Sequence, residues 1–242
     1  MNLFLLFIFV IIFIVIIILF TIKSKFININ EKFHYVENEL LTDEECNLLI
    51  NNSKNNLTRS TVNSIDKNNN FKSIEDNSRT SNQTWLNKYS YPNIINKVIK
   101  FINKYTNYPI NISNFEDIQI ANYKPNQEYK YHYDICHPTQ AKSNIDSCKA
   151  EFKDIKSVRY ITVIVYLNSD FKGGETKFTK LNIKINPKKR KALLFFNCNL
   201  QENSSKTGLC DVIDNSEHAG LPVISGEKWI ANFWIRLKSF KK

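Results

Sequence analysis

The sequence contains no Cys-x-x-Cys pair, so neither a zinc ribbon nor a thioredoxin-type redox motif has its ligands. Glycine and proline are scarce, five and six in 242 residues, which excludes a triple-helical repeat. With 43% hydrophobic and 23% charged residues, the chain is neither disordered nor a multi-span membrane protein. Its first twenty-two residues, however, hold no charged side chain. The remaining stretch of about 220 residues can bury a sizeable core and fits one sandwich or barrel more easily than two domains.

Leu3 to Ile22 is an uncharged run that is apolar but for Thr21, and about 20 residues at ~1.5 Å each span the hydrocarbon layer of a bilayer. It lacks the basic start and the small-residue cleavage site of a signal peptide, ending at Thr21-Ile22-Lys23. The sequence therefore predicts an uncleaved transmembrane anchor over residues 1–22, a linker over 23–33 and one soluble domain over 34–242. Lys23, Lys25 and Lys32 follow the span, and by the positive-inside tendency they favour a cytoplasmic domain.

Lys and Arg number 33 against 23 Asp and Glu, a net charge of +10. The densest basic stretch is Lys172 to Lys191, and its basic run Pro187-Lys188-Lys189-Arg190-Lys191 has no interleaved stacking aromatics, so it reads as a solvated turn between strands and not as a nucleic-acid patch. Five cysteines leave at least one unpaired. Cys136 with Cys148, and Cys198 with Cys210, are each spaced by twelve positions. Local disulfides in an oxidising compartment and plain thiols both fit that spacing. Asn51, Asn56, Asn82, Asn111 and Asn203 stand in glycosylation sequons, at about the frequency that an Asn-rich composition produces by chance.

Thr42 and Glu45 form a capping box ahead of Cys46, Leu49 and Ile50, which predicts a helix. Pro92 opens a second helix, expected to reach Tyr105, with Ile95, Val98, Ile99 and Ile102 on one face. Asn55 to Ser78 is polar and without period, so it reads as a long mobile loop. Beyond Phe115 the pattern becomes that of short strands: Ile118–Tyr123, Tyr129–Asp134, Arg159–Leu167, Lys191–Phe196, His218–Val223 and Lys228–Leu237. Two helices followed by antiparallel strands predict a mainly β sandwich or barrel with flanking helices. Ile135 to Ser157 reads as a polar insertion.

His132 and Asp134 sit at i and i+2, so on a strand they share a face. His218, in Ser216-Glu217-His218-Ala219-Gly220, supplies a third ligand. Two His and one carboxylate on one side of a metal leave positions open for oxygen and a chelating co-substrate, the arrangement of non-haem Fe(II) oxygenases. Counting by two from Lys228 gives Ile230, Asn232, Trp234 and Arg236. A lysine on that otherwise largely apolar face is either snorkelling or answering a buried anion.

The order Glu44-Glu45-Cys46, Arg79-Thr80-Ser81, Tyr123, His132-Tyr133-Asp134, Arg159, Tyr166-Leu167-Asn168, Gly173-Gly174-Glu175-Thr176-Lys177-Phe178, His218-Ala219-Gly220-Leu221-Pro222-Val223 and Gly226-Glu227-Lys228-Trp229 resembles the prolyl 4-hydroxylase family of Fe(II)/2-oxoglutarate dioxygenases. The resemblance covers about residues 34 to 238. It implies a double-stranded β-helix, a cupin-like jelly roll, with helices outside. It implies His132, Asp134 and His218 as catalytic iron ligands, with Lys228, Tyr123 and Thr176 on the distal carboxylate of 2-oxoglutarate. Arg159, Tyr129 and Trp234 match positions at the peptide mouth, where each residue could equally be structural. The implied reaction consumes O2 and 2-oxoglutarate, releases succinate and CO2 and converts peptidyl proline to 4-hydroxyproline, with L-ascorbate restoring oxidised iron. The implied partners are a proline-containing peptide and, through the N-terminal helix, a membrane. The implied location is the endoplasmic reticulum, as a single-pass signal-anchored protein with a luminal domain, opposite to the charge count. In that compartment the two cysteine pairs are expected to be disulfides, leaving Cys46 as a buried helix thiol.

Two departures stand out. Lys124-Pro125-Asn126-Gln127 lacks the glycine of the family's Tyr-x-x-Gly-Gln, and Pro187 to Ala192 lacks the glycine usual before the apolar strand. A same-fold oxygenase acting on another side chain or on nucleic acid, and an inactive membrane-anchored binding module, are the competing readings. The first suits the +10 charge, but such enzymes usually hold 2-oxoglutarate by Arg; the second is disfavoured because every ligand is present.

Overall fold

The computed structural model describes residues 33–142 and 144–240. The expected anchor, Leu3 to Ile22, and the linker up to Lys32 lie outside the described residues; among those described, no helix is long and apolar enough to cross a membrane.

The N-terminal half runs β1 (His34–Glu37), α1 (Asp43–Ser53), β2 (Thr58–Arg59), β3 (Thr61–Ile65), β4 (Phe71–Glu75), β5 (Asn82–Leu86) and α2 (Pro92–Ile102). Then follow β6 (Ile118–Tyr123), β7 (Tyr129–His132), α3 (Ile145–Ile155), β8 (Arg159–Tyr166), β9 (Phe171–Gly173), β10 (Thr176–Phe178), β11 (Ile183–Ile185) and β12 (Ala192–Phe196). The chain closes with β13 (Cys198–Asn199), α4 (Ser204–Thr207), β14 (Asp211–Val212), β15 (His218–Gly220), β16 (Val223–Gly226) and β17 (Lys228–Arg236).

The expected capping box forms: Thr42 Oγ1 accepts from Glu45 N at 3.2 Å and Glu45 Oε2 accepts from Thr42 N at 2.8 Å. α1 then buries Cys46 and Leu49. α2 buries Ile94, Ile95, Val98, Phe101 and Ile102. It stops short of Tyr105 because Lys104 and Tyr105 N–H groups turn to the carbonyls three residues back, tightening the last turn.

A seven-stranded antiparallel sheet, ordered β1-β12-β8-β17-β6-β5-β2, forms one layer, and a four-stranded sheet, β11-β10-β15-β7, forms the other. Phe178 of β10 meets Phe195 of β12 edge to face at 5.4 Å, and Phe195 meets His218 of β15 at 4.7 Å, so aromatic side chains join the layers. All nine residues of β17 are buried, as befits a strand with neighbours on both edges and layers on both faces. The mainly β architecture with outer helices is the one expected.

Four local expectations change. Asn55 to Ser78 is not a loop: it holds β2 and the β3–β4 hairpin, paired from Thr61↔Glu75 to Ile65↔Phe71. Its polar composition reflects a two-stranded ribbon that belongs to neither main sheet, so no apolar alternation is required. At its tip Asp66 accepts from the Asn68 and Asn70 amides, both at 2.8 Å, and Asn69 takes φ 59°. Second, β7 ends at His132, and Asp134 lies in the bend beyond it. Third, Leu221-Pro222 divides the expected strand His218–Val223, since proline has no amide for the ladder. Fourth, the insertion carries α3. The basic turn also does more than face solvent: Lys189 Nζ lies 3.1 Å from Asp43, and Arg190 Nε donates to Leu41 O at 3.0 Å, docking α1.

Cys136 is bonded to Cys148 and Cys198 to Cys210, with Cα separations of 4.9 and 5.6 Å; Cys46 is a buried thiol. Burial pushes that thiol up to about 11, making it inert near neutrality. Where the family pattern has its two glycines, Asn126 and Arg190 adopt φ 67° and 74°. Left-handed backbone is therefore kept at both places, by an asparagine that tolerates it and by an arginine held through its own contacts.

Candidate active site

The antiparallel register of β15 on β7 sets His218 opposite His132, and directly opposed side chains are neighbours on a sheet face. The two imidazole centroids lie 4.3 Å apart. The bend after β7 brings Asp134 to them: its Oδ1 is 3.6 Å from His132 Nε2, and its Oδ2 is 3.8 Å from His218 Nε2. One ligand atom from each of the three lies within 4.8 Å of the others, and this is the one cluster of potential metal ligands among the described residues.

The tautomers suit a metal. His132 Nδ1 faces the Lys130 carbonyl at 2.7 Å and His218 Nδ1 faces the Ser216 carbonyl at 2.9 Å. Each Nδ1 therefore carries its proton and leaves the Nε2 lone pair for an ion. Burial, then the neighbouring His132, pushes His218 down to about 4, so it is neutral at ordinary pH. Burial alone would raise Asp134, but His218, His132 and Arg159 outweigh it and hold the carboxyl well below the usual range. Thr162 Oγ1 donates to Asp134 Oδ2 at 2.7 Å and accepts from Asn197 Nδ2 at 3.0 Å, which fixes the carboxylate's orientation. Neither Thr162 nor Asn197 is among the sequence-derived site residues. The available signal was a threonine in the middle of the apolar strand Arg159–Tyr166, since a polar group there must have a partner.

Lys228 opens β17 opposite Tyr123, and its Nζ lies 4.9 Å from the Tyr123 ring centroid. The residue is 2% exposed. Burial pushes the ammonium down to about 8, with Glu175 opposing. A β-carbon on Gly220 would come 3.8 Å from Lys228 Nζ and 4.0 Å from the Tyr123 hydroxyl, so Gly220 faces the same corner. Thr176 is buried beside it, its hydroxyl 2.7 Å from that of Tyr166. A buried ammonium among hydroxyls, near a two-His-one-carboxylate cluster, fits a small dicarboxylate and a divalent iron.

Eight of the nine sequence-derived residues line one inner cavity: Tyr123, Tyr129, His132, Asp134, Thr176, His218, Lys228 and Trp234. Arg159 lines the adjoining open cleft of about 390 Å³, which shares Tyr129, His132, Asp134 and Trp234 with the inner cavity. The even-numbered face of β17 is as expected, with Lys228, Ile230, Asn232 and Trp234 all on the cavity. Arg159 stacks 3.7 Å over Trp234 and is gripped by Glu116 at 2.7 and 2.8 Å. Glu116 stays ionised, down to about 2, because Arg159 and Arg236 overcome its burial. Tyr129 lies flat on His132, centroids 3.5 Å apart, with the Arg79 guanidinium 4.6 Å from its ring centroid. Burial pushes the Tyr129 phenol up to about 12, so it remains a donor.

Two outcomes follow. Thr162→Val removes the donor that orients Asp134 without touching a ligand, and should weaken Mn(II) or Fe(II) affinity by roughly 10- to 100-fold, read by calorimetry; unchanged affinity would show that the hydroxyl is dispensable. Lys228 is charged below its pKa, so anaerobic 2-oxoglutarate affinity of the Mn(II)-loaded protein should be full at about pH 7 and fall as pH rises past about 8. Lys228→Arg should flatten that profile to about pH 9.5, since guanidinium keeps its charge to about pH 12; an equally steep fall would assign the titration elsewhere.

Residues 118–236 match the family model described as the 2OG-Fe(II) oxygenase superfamily. Prolyl 4-hydroxylase 2 of Arabidopsis thaliana is 34% identical over 229 residues, 86% of this chain and 68% of that protein. A protein of Acanthamoeba polyphaga mimivirus assigned to the prolyl 4-hydroxylases is 33% identical over 233 residues, 91% of this chain and 85% of that one. Among solved structures, the 2OG complex of a viral collagen prolyl hydroxylase from Paramecium Bursaria Chlorella virus-1 is similar with a TM-score of 0.61 at 32% identity, covering 86% of this chain and 98% of the other. On these likenesses, and on the jelly-roll layers and residue cluster described above, the chain belongs to the prolyl 4-hydroxylase family of Fe(II)- and 2-oxoglutarate-dependent oxygenases.

Proposed function

We propose that the protein hydroxylates C4 of proline residues in a peptide, with His132, Asp134 and His218 holding Fe(II) and Lys228, Tyr123 and Thr176 holding the distal carboxylate of 2-oxoglutarate. The observation that carries this reading is the continuity of the two cavities through Tyr129, His132, Asp134 and Trp234. A chain lying in the outer cleft presents one side chain to the ligand cluster without entering the co-substrate pocket. When bound, the iron supplies the oxidative chemistry that couples decarboxylation of 2-oxoglutarate to hydroxylation, and L-ascorbate would keep it reduced.

The residues do the positioning. The Tyr166–Thr176 hydroxyl pair, at 2.7 Å, fixes a rotor that would otherwise have to be ordered on binding. Lys228 contributes charge and the hydroxyls contribute direction, where an arginine would offer both in one fork. In the cleft, Arg159 is preset by Glu116 and Trp234, so its remaining donor capacity faces a peptide at little entropic cost. Arg79 Nε and Trp234 Nε1 are buried donors without a partner among the described residues. Peptide carbonyls would satisfy them.

A luminal location, with Leu3 to Ile22 as the membrane anchor, is proposed on two supports: that apolar run and the two disulfides, which persist in oxidising compartments.

Succinate release should be stimulated by a proline-rich peptide and not by oligonucleotides, with 4-hydroxyproline detected by mass spectrometry. Lys228→Ala should raise the 2-oxoglutarate requirement far more than the peptide requirement. Stimulation by oligonucleotides alone would overturn the substrate assignment. In intact microsomes the domain should resist added protease until detergent is present, and digestion without detergent would refute the lumen.

A further inference from the structure

Glu151 is a buried carboxylate outside the metal cluster, 5% exposed, on α3 of the insertion. It bonds at once to two strands that are far apart in the chain. Its Oε1 accepts from Arg236 Nη2 at 2.5 Å, and its Oε2 accepts from Asn63 Nδ2 at 2.6 Å. Arg236 is the last residue of β17, and its Nε donates at 2.7 Å to Glu116, the carboxylate that also holds Arg159. Asn63 is the middle residue of β3, opposite Ser73 in the hairpin. One carboxylate thus links the hairpin, through Arg236 and Glu116, to the guanidinium lying over Trp234.

The hairpin needs such a link. It pairs with neither main sheet, and an isolated two-stranded ribbon is marginal in water. Yet Thr61, Val62, Asn63, Ser73 and Ile74 line the outer cleft, together with Cys136 and Cys148 from the insertion. The α3 side is firm: the Cys136–Cys148 disulfide ties it to the chain just beyond Asp134, and Asn144 Nδ2 adds a second bond to the Asn63 carbonyl at 3.3 Å. Were Glu151 only a counter-charge for Arg236, its second oxygen would have no reason to meet the hairpin, and Arg236 already has Glu116 and the Ser157 carbonyl.

We propose that Glu151 is a positioning residue for the substrate chain: it holds the β3–β4 hairpin against α3 through Asn63 and so sets the width of the cleft. The proposal rests on the reading of that cleft as a peptide site, and it predicts a property of the hairpin that exists without any peptide.

The test is hydrogen exchange of the full-length protein without substrate, together with steady-state kinetics, on Asn63→Ala, Glu151→Gln and the double variant. Asn63→Ala leaves the Arg236–Glu116–Arg159 network whole, so it isolates the link even if the Glu151 variant folds poorly. Amides of residues 61–75 should exchange roughly tenfold faster in Asn63→Ala, the size expected for loss of a hydrogen bond to a charged group, while those of β8 and β17 stay as in the wild type. The peptide KM should rise by a similar factor with the 2-oxoglutarate KM unchanged, and the hairpin of the double variant should exchange no faster than that of Asn63→Ala. Unaltered hairpin exchange in Asn63→Ala, or an equal rise in both KM values, would overturn the proposal. If no proline peptide is turned over by the wild type, the substrate reading fails, while the exchange data still decide the hairpin link.

Discussion

The register that pairs β15 with β7 is the constraint on which the site depends. Side chains alternate between the two faces of a sheet, so a slip of one residue would send His218 to the opposite face from His132 and leave Asp134 facing a single imidazole. Two backbone carbonyls, of Lys130 and Ser216, then fix the imidazole tautomers. Both lie two residues before the histidine they orient, Lys130 on β7 and Ser216 at the end of the turn that leads into β15, so the local backbone that places each ring also prepares its nitrogen.

β17 plays the complementary part in the larger sheet. Along its even face, one strand presents Lys228 to the co-substrate corner, Trp234 to the cleft and Arg236 to the buried acids Glu116 and Glu151. The order along the strand is also an order of polarity. At the closed end stands Lys228, an ammonium with no carboxylate in salt-bridge contact among the described residues, where an anion supplies the missing charge. At the other end, two guanidinium groups and two carboxylates neutralise one another. Burying charge is costly unless it is paired, and on this face the strand leaves it unpaired only where a ligand is expected.

The departures from the family pattern are resolved by backbone conformation and by local contacts. Asn126 and Arg190 take the left-handed conformation that glycine would have taken, and Arg190 uses its side chain to dock α1. The insertion brings its own support, a helix with a disulfide and a buried acid, so the extra length is anchored on both the metal side and the hairpin side.

Much was legible from the sequence because it depends on local rules. Thr42 and Glu45 announced the first helix, the i, i+2 spacing announced the cavity face of β17, and His132-x-Asp134 with His218 and Lys228 announced the ligands. The β3–β4 hairpin was not legible, because a ribbon outside the core has no apolar period to read. Nor was the acid network: Glu116, Glu151 and Arg236 are far apart in the chain, and no local pattern brings the two acids to the arginine. Whether His132 and His218 would face each other was likewise a matter of strand register, which depends on long-range pairing. The sequence by itself determined which chemistry-bearing residues are present and, for those on strands such as Lys228 and Trp234, which face each occupies, since these follow from side-chain identity and the two-residue period; the bend that carries Asp134 lies outside that rule. Only the tertiary structure decided which of them meet, because the burial that pairs β7 with β15 and α3 with β3 is shared among segments that no local pattern connects.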